Sequence, residues 1–359
     1  MRRPAEMGKP ALALRAASTV RAGQMSVTLH RFAGHAPSLD PMIGLVARDM
    51  DSVNDVIVDR MRSEIPLIPE LAGHLIAGGG KRLRPMLTLA SARLLGYDGD
   101  RHHLLAAAVE FIHTATLLHD DVVDGSDLRR GRRTANIIWG NPASVLVGDF
   151  LFSRSFELMV EGGSLRALEI LSNASAVIAE GEVNQLTAVR RVDLAEERYL
   201  DIIGAKTAAL FAAACRVAAV VADRPADEAP LDAYGRNLGV AFQLVDDAID
   251  YTSDAGTMGK DAGDDFREGK MTLPVILAYA RGDEEDRLFW RDAVEGRRSG
   301  DTDFAHAVDL VRRTRAVEDT FARARHYGQQ AIDALAAFED GAAKDAMVEA
   351  VEFAVARAY

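Results

Sequence analysis

The sequence predicts an all-α protein built as a single large helical bundle, and three observations carry that expectation. Apolar residues recur at helical spacing almost everywhere from Asp40 onward, no convincing period-two pattern occurs, and no linker or fixed-period repeat divides the chain. With 48% apolar residues in 359, there is enough to bury a sizeable core.

Residues 1–39 stand apart. They carry Arg2, Arg3, Lys9, Arg15, Arg21 and Arg31 against the single acid Glu6. Organellar transit peptides share such a composition, but the preferred reading is a disordered extension, or a true start at Met25. Residues 40–359 then form one domain. Over 49–61, Met50, Val53, Ile57, Val58 and Met61 fall on one helical stripe. Comparable stripes cover 84–95, 103–123, 142–160, 165–189, 195–221, 231–251, 273–280, 316–337 and 343–356. Gly and charge interrupt them over 125–134 and 253–269. Each interruption directly follows an aspartate cluster, which places both clusters at helix C-termini.

Charge and cysteine use narrow the function. A net charge of -12 argues against nucleic acid and against a basic membrane anchor. No uncharged apolar run approaches the roughly 18 residues of a transmembrane span. The single cysteine, Cys215, excludes an internal disulfide and fits the reducing cytoplasm. An acidic chain that handles an anion needs local cations or metal ions.

The first cluster is Asp120-Asp121-Val122-Val123-Asp124, preceded by Leu117, Leu118 and His119. At 3.6 residues per turn, Asp120 and Asp124 differ by about 40° around the axis. Three carboxylates therefore crowd one rim, at a helix end whose dipole already disfavours negative charge. The second, Asp246-Asp247-Ala248-Ile249-Asp250, repeats the spacing, and Asp261, Asp264 and Asp265 follow in the next loop. One such triplet is as readily a solvated helix face. Two, each in a strongly apolar helix, argue for an internal site. Carboxylates without His or Cys suit hard cations, and Mg²⁺ commonly binds through few carboxylates plus phosphate oxygens. Two carboxylate walls facing a cavity would hold a diphosphate through bridging Mg²⁺.

Cations complete the pattern. Gly78-Gly79-Gly80-Lys81-Arg82-Leu83-Arg84-Pro85 runs glycine into three basic residues at a helix start, where free N–H groups favour phosphate. It is not a Walker loop, because Leu75 and Arg82 stand at positions that motif reserves for Gly and Ser/Thr. Arg129, Arg130, Arg132 and Arg133 follow the first cluster, and arginine offers a bidentate fork to diphosphate. Lys206-Thr207 interrupts an Ala-rich helix, and Lys260 and Lys270 flank the second acidic loop.

In order, Gly80–Pro85, His113, Asp120–Asp124, Arg129–Gly131, Gly204–Thr207, Phe242–Asp250 and Gly259–Asp261 resemble the motifs of the trans-isoprenyl diphosphate synthases, from about Asp40 to the C-terminus. The resemblance implies a helical bundle around a deep central cavity, a homodimer, and Mg²⁺, three ions in all, bridging the diphosphate. It implies Asp120, Asp124, Asp246, Asp247 and Asp250 as metal ligands, with Asp121 beside them in the catalytic cluster. Arg129, Lys206, Thr207, Gln243 and Lys260, with Lys270 as an added contact, would hold an allylic diphosphate. Lys81, Arg84, His113 and Arg130 would hold isopentenyl diphosphate. No protein nucleophile is required: the allylic cation is attacked by the alkene, and departing pyrophosphate takes the proton. Closure of 125–134 and 253–270 would exclude water.

Product length depends on the depth below the first cluster. Four and five residues before Asp120 stand Thr116 and Ala115, where shorter-chain relatives place aromatics. Both are small here, with Val109 and Ile112 deeper and Phe150, Phe152 or Phe156 as candidate floors. The expectation is a long all-trans product, roughly C40 to C50, of the kind used for quinone side chains. The rivals are a shorter-chain synthase, a terpene cyclase, a head-to-head condensing enzyme and a noncatalytic isoprenoid-binding subunit. A cyclase would carry a mixed Asn/Ser/Glu second motif, a head-to-head enzyme Asp-x-x-x-Asp spacing, and an inactive subunit lost carboxylates.

Overall fold

The computed structural model of the chain describes residues 36–77, 80–252 and 263–356. Residues 1–35, Gly78, Gly79, Gly259, Lys260 and Asp261, and the expectations attached to them, lie outside the described residues. The all-α reading holds. Helices α1 (Asp40–Arg60), α2 (Leu67–Ala77), α3 (Leu83–Leu94) and α4 (Arg101–Val123) lead to two two-residue strands, β1 (Leu128–Arg129) and β2 (Arg132–Arg133). Then come α5 (Ala135–Trp139), α6 (Asn141–Glu161), α7 (Leu165–Ala188), α8 (Glu196–Ile203), a π-turn at Gly204–Ala208, α9 (Ala209–Val221) and α10 (Glu228–Ile249). The remainder is α11 (Asp264–Glu268), α12 (Leu273–Arg281), α13 (Glu284–Val294), α14 (Asp301–Arg313), α15 (Ala316–Ala334) and α16 (Ala342–Ala356).

Local chemistry explains the boundaries. Pro41 sits in the first turn of α1, where a missing N–H costs nothing. The Ser164 side chain accepts from the Ala167 N–H at the start of α7. Asp283 and Asp286 cap α13 reciprocally. Helices α13 and α14, which the apolar pattern did not single out, are charged around most of their circumference and bury little beyond one narrow stripe.

Two apolar clusters form the interior. The first joins α1, α3, α4, α6, α7, α9 and α16 with the first half of α10 (Leu231, Tyr234, Leu238). The second gathers α12 to α15 around the second half of α10 (Val240, Leu244, Val245, Ala248). Each fully buried leucine, Leu118 in the first or Leu244 in the second, contributes about 1.5–3 kcal/mol by leaving water. Helix α4 ends in the first cluster and α10 in the second, so the two aspartate groups belong to different cores. Two glycines bring α10 against its neighbour: a Cβ at Gly235 would lie 2.4 Å from the Phe211 carbonyl oxygen, and one at Gly239 2.6 Å from the Ala208 Cα. That contact sets Gln243, one turn later, opposite Thr207. Among the described residues one helical stretch, Glu196–Val221, is long and apolar enough to cross a membrane, but 78% of that window is buried inside the protein, as befits a core helix.

Candidate active site at two helix ends

In the first cluster the middle carboxylate turns inward. Asp121 is fully buried, and its Oδ1 accepts from Arg129 Nε at 2.8 Å and Nη2 at 2.7 Å. Burial raises the Asp121 carboxyl above the usual range, and the Arg129 bond opposes the rise. Its backbone carbonyl accepts from Asn136 Nδ2 at 3.2 Å, which ties the helix end to α5. Asp120 and Asp124 remain at the rim. Burial pushes Asp120 up to about 6, with Lys206 opposing and Glu182 and Asp124 adding to the rise.

The hairpin after this cluster separates two arginines. Arg130 and Gly131 both have positive φ (54° and 71°), the geometry a two-residue turn needs between twisted strands. Arg129 therefore returns to Asp121. Arg130 instead reaches Gly80, where an added Cβ would lie 2.9 Å from its Nη1. There it joins Arg84, whose Nη1 donates to His113 Nε2 at 3.1 Å and whose guanidinium lies 4.5 Å from the Phe211 ring centre. Burial and the arginines Arg84, Arg130 and Arg129 hold His113 well below the usual histidine range, so the ring is a neutral acceptor. Burial lowers Arg84 to about 10, which leaves it charged at neutral pH. Lys81 lies over the Phe353 ring of α16 at 4.4 Å.

The second cluster has the same spacing and different support. Asp247 is buried, and the Tyr199 hydroxyl donates to its Oδ2 while Gln243 Nε2 donates to its Oδ1 at 2.7 Å. Thr207 Oγ1 donates in turn to Gln243 Oε1 at 2.8 Å. Burial, then Asp265, raises the Asp247 carboxyl well above the usual range. Both oxygens of Asp250 accept backbone N–H groups, of Gly263 and Asp265, each at 3.1 Å. Burial and Asp265 push Asp250 up to about 7. Asp246 is half-buried, as Asp250 is. Asp247 and Asp250 thus each accept hydrogen bonds from the protein, Asp247 from α8 and its own helix and Asp250 from its loop, while Asp120 and Asp124 stand at the rim of the first cluster. The fit is chemical. The donors are all oxygens, with no His or Cys, as hard Mg²⁺ prefers.

Two lysines connect the halves. Lys206 Nζ lies 3.9 Å from Asp120 Oδ2 and 2.8 Å from Glu182 Oε2. Lys270 Nζ lies 3.5 Å from Asp124 Oδ2 and pairs with Glu268. Although burial opposes its charge, Asp265, Asp124 and Glu268 raise the Lys270 ammonium above its ordinary value.

Of the two positions expected to set product length, Ala115 is fully buried inside the first core, while Thr116 is half-buried and donates to the His113 carbonyl at 2.7 Å. Phe156, named as a candidate floor, is exposed on α6 and meets Phe152 edge to face at 5.2 Å. Glu182 and Tyr199 escaped the sequence reading. Their partners lie 24 and 48 residues away in sequence. The distant group Asp49, His102 and His103 is separate from this site: His102 precedes Asp120 by 18 residues of α4, about 27 Å of helix. Arg93 already binds both Asp49 oxygens, at 2.8 and 2.7 Å.

Comparison with known proteins matches this architecture. Residues 65–311 fit the family model described as polyprenyl synthetase. Octaprenyl diphosphate synthase of Escherichia coli (strain K12) is 44% identical over 321 residues, covering 89% of this chain and 99% of that protein. A polyprenyl synthase from Caulobacter crescentus CB15, crystallised with calcium and isoprenyl diphosphate, superposes with a TM-score of 0.87 at 53% identity, over 90% of this chain and 99% of that one. A decaprenyl diphosphate synthase from Rhodobacter capsulatus gives a TM-score of 0.86 at 50% identity, over 90% and 100% of the two chains.

Proposed function

The chain belongs to the polyprenyl synthetase family and is a long-chain trans-prenyltransferase, and from that premise we propose how its residues divide the reaction. The observation that carries the proposal is the pairing of two aspartate-bearing helix ends with two separate cation sets, one around Lys206 and Lys270, the other around Arg84, His113 and Arg130. Lys206, Thr207 and Gln243, with Lys270, hold the allylic diphosphate. Arg129 keeps Asp121 in place and presents its remaining face to the same group, and Lys260 belongs to this set by its motif. Lys81, Arg84, His113 and Arg130 hold isopentenyl diphosphate. Asp120, Asp124 and Asp246 would hold Mg²⁺, three ions in all, which when bound stabilises charge on the departing pyrophosphate. The calcium in the Caulobacter relative supports a hard divalent ion here.

The allylic carbon–oxygen bond breaks, and the electrons of the isopentenyl double bond form the new carbon–carbon bond. The proton released goes to the departing pyrophosphate. The small Ala115 and Thr116 leave α4 without an aromatic stop, so repeated additions reach about C40 to C50. Such chains serve quinone side chains, and the reaction takes place in the cytoplasm. The protein works as a homodimer: Ile137, Ile138, Leu146, Phe156 and Val160 expose an apolar stripe along α5 and α6.

The deciding assay incubates purified protein with farnesyl diphosphate, labelled isopentenyl diphosphate and Mg²⁺. The expected result is a ladder ending near the stated length. Products stopping at C15 or C20 would replace this reading with a short-chain synthase, and no extension would replace it with a binding subunit.

A further inference from the structure

Lys206 is shared between two acids, and it sits closer to the one outside both aspartate clusters. Its Nζ is 2.8 Å from Glu182 Oε2 on α7 and 3.9 Å from Asp120 Oδ2 on α4. The pair with Glu182 is a hydrogen-bonded contact; the approach to Asp120 lies beyond hydrogen-bond reach. All three side chains are largely covered, with 17% exposure at Asp120, 23% at Lys206 and 26% at Glu182, so solvent screens them less than an ordinary surface pair.

Backbone geometry fixes this arrangement. The residue before Glu182 is Gly181, and a Cβ there would lie 2.9 Å from Ala205 Cβ and 3.0 Å from the Lys206 nitrogen. Only glycine lets α7 approach the π-turn so closely. That approach sets Glu182 beside the lysine, in a turn whose extra residue displaces Lys206 from regular helical register.

We propose that Glu182 is a positioning residue that draws Lys206 away from Asp120, leaving the Asp120 carboxylate available to a divalent cation. Among the described residues, Asp120 is the other acid within ion-pairing distance of the ammonium. Without Glu182 the ammonium closes on Asp120 and competes with the metal for the same oxygens. In the native arrangement Lys206 stays charged and near the rim, ready to turn from Glu182 to a diphosphate oxygen when substrate arrives. The inference rests on the metal and diphosphate roles proposed above.

The test reads metal binding directly. Mn²⁺ is titrated into the metal-free protein, and the free ion is followed by electron paramagnetic resonance, with and without inorganic pyrophosphate. Four proteins are compared: wild type, Glu182→Gln, Lys206→Ala and the double variant. The expected result is that Glu182→Gln weakens Mn²⁺ binding roughly three- to tenfold, the scale of a half-buried ion pair. In the Lys206→Ala background the same substitution should cost less than about twofold, because the competitor is gone. Unchanged or tighter binding by Glu182→Gln overturns the proposal. So does an equal loss in both backgrounds, since Glu182 would then act on the metal by its own charge and not through Lys206. Circular dichroism confirms that each variant is folded. Extension of farnesyl diphosphate by the wild type is measured in parallel. Its absence would sink the prenyltransfer reading, while the Mn²⁺ series would still decide the role of Glu182.

Discussion

The two aspartate clusters have identical spacing and opposite engineering. On α4 the inward carboxylate, Asp121, is neutralised by a formal charge, the Arg129 guanidinium on its Oδ1. On α10 its counterpart, Asp247, accepts among the described residues from the uncharged donors Tyr199 and Gln243. The outer members differ as well. Asp124 meets a lysine that crosses from the other half, whereas Asp250 is consumed by two backbone N–H groups of its own loop. A repeated motif sets where acids stand on a helix, and the neighbours decide which of them remain available.

The sharpest way to break that comparison is to remove rim and inner carboxylates in turn. Asp120→Ala and Asp246→Ala should each lower kcat/KM by about 10³, because each removes a group placed to hold charge at the reacting diphosphate. Asp247→Asn and Asp250→Asn should lower it by less than about tenfold under saturating Mg²⁺, since Asp247 is held by Tyr199 and Gln243 and Asp250 by the backbone of its loop. Steady-state kinetics with farnesyl diphosphate decides the matter, and equal losses across all four variants would dissolve the division between rim and inner acids.

A second difference lies one turn below each cluster. Four residues before Asp246 stands Phe242, tilted against Phe211 with ring centres 5.7 Å apart. Four residues before Asp120 stands Thr116. The aromatic thus stands on α10 and a small side chain on α4. Thr116→Phe gives α4 the same kind of stop and should shorten the product by several isoprene units, as read by chromatography. Ala115→Phe should shorten it too, but Ala115 is sealed in the first core, so overpacking adds a stability loss of about 1–3 kcal/mol. An unchanged product from both variants would remove α4 from the determination of length.

The inner pair also separates by stability. Asp121→Asn strips the partner from Arg129, whose side chain is 32% exposed, so the penalty is that of a partly screened pair, about 1–2 kcal/mol. Asp247→Asn should cost less than about 1 kcal/mol. An asparagine oxygen still accepts from Tyr199, and reversing the Gln243 amide lets it receive the new N–H₂ while donating to Thr207. Urea unfolding of the metal-free variants measures both, and a larger loss at Asp247 would reverse the assignment of charged and uncharged support.

Much of this was legible in the sequence, for reasons that differ by residue. Helical periodicity located α4 and α10, and the apolar residues around each triplet set both clusters at the edge of a core. Local chemistry also placed the arginines, although the expectation of no strands missed the short hairpin. Its signal was present: Arg130-Gly131 is a two-residue loop with glycine, and that turn sends Arg129 and Arg130 to different sites. Spacing alone could not tell Asp246 from Asp247, because the distinction comes from Tyr199, 48 residues away in sequence. The stretch 195–221 reads as one continuous helix, and the π-turn that displaces Lys206 shows only as Gly204 in an otherwise helix-favouring run.

The smallest expected effect joins both clusters to pH. Asp120 and Asp250 ordinarily titrate near 3.8, and in the fold burial moves them to about 6 and about 7. For an acid raised on folding, the native state holds protons that the unfolded chain has lost, so stability falls as pH rises through that window. The metal-free protein should therefore lose stability from about pH 4 to about pH 7 on account of these two groups, with no further loss from them above. A divalent ion offsets the Asp120 share only where protons do not compete for the same oxygens. Mg²⁺ should accordingly raise Tm by about 2–4 °C more at pH 8 than at pH 5. Asp120→Asn should abolish that pH-dependent response, whereas Asp250→Asn should leave it in place and lessen the metal-free loss across its own window, from about pH 4 to about pH 7. Differential scanning calorimetry over this range supplies the comparison. A Mg²⁺ effect equal at both pH values, or greater at pH 5, would mean that the metal does not compete with protons for the α4 rim.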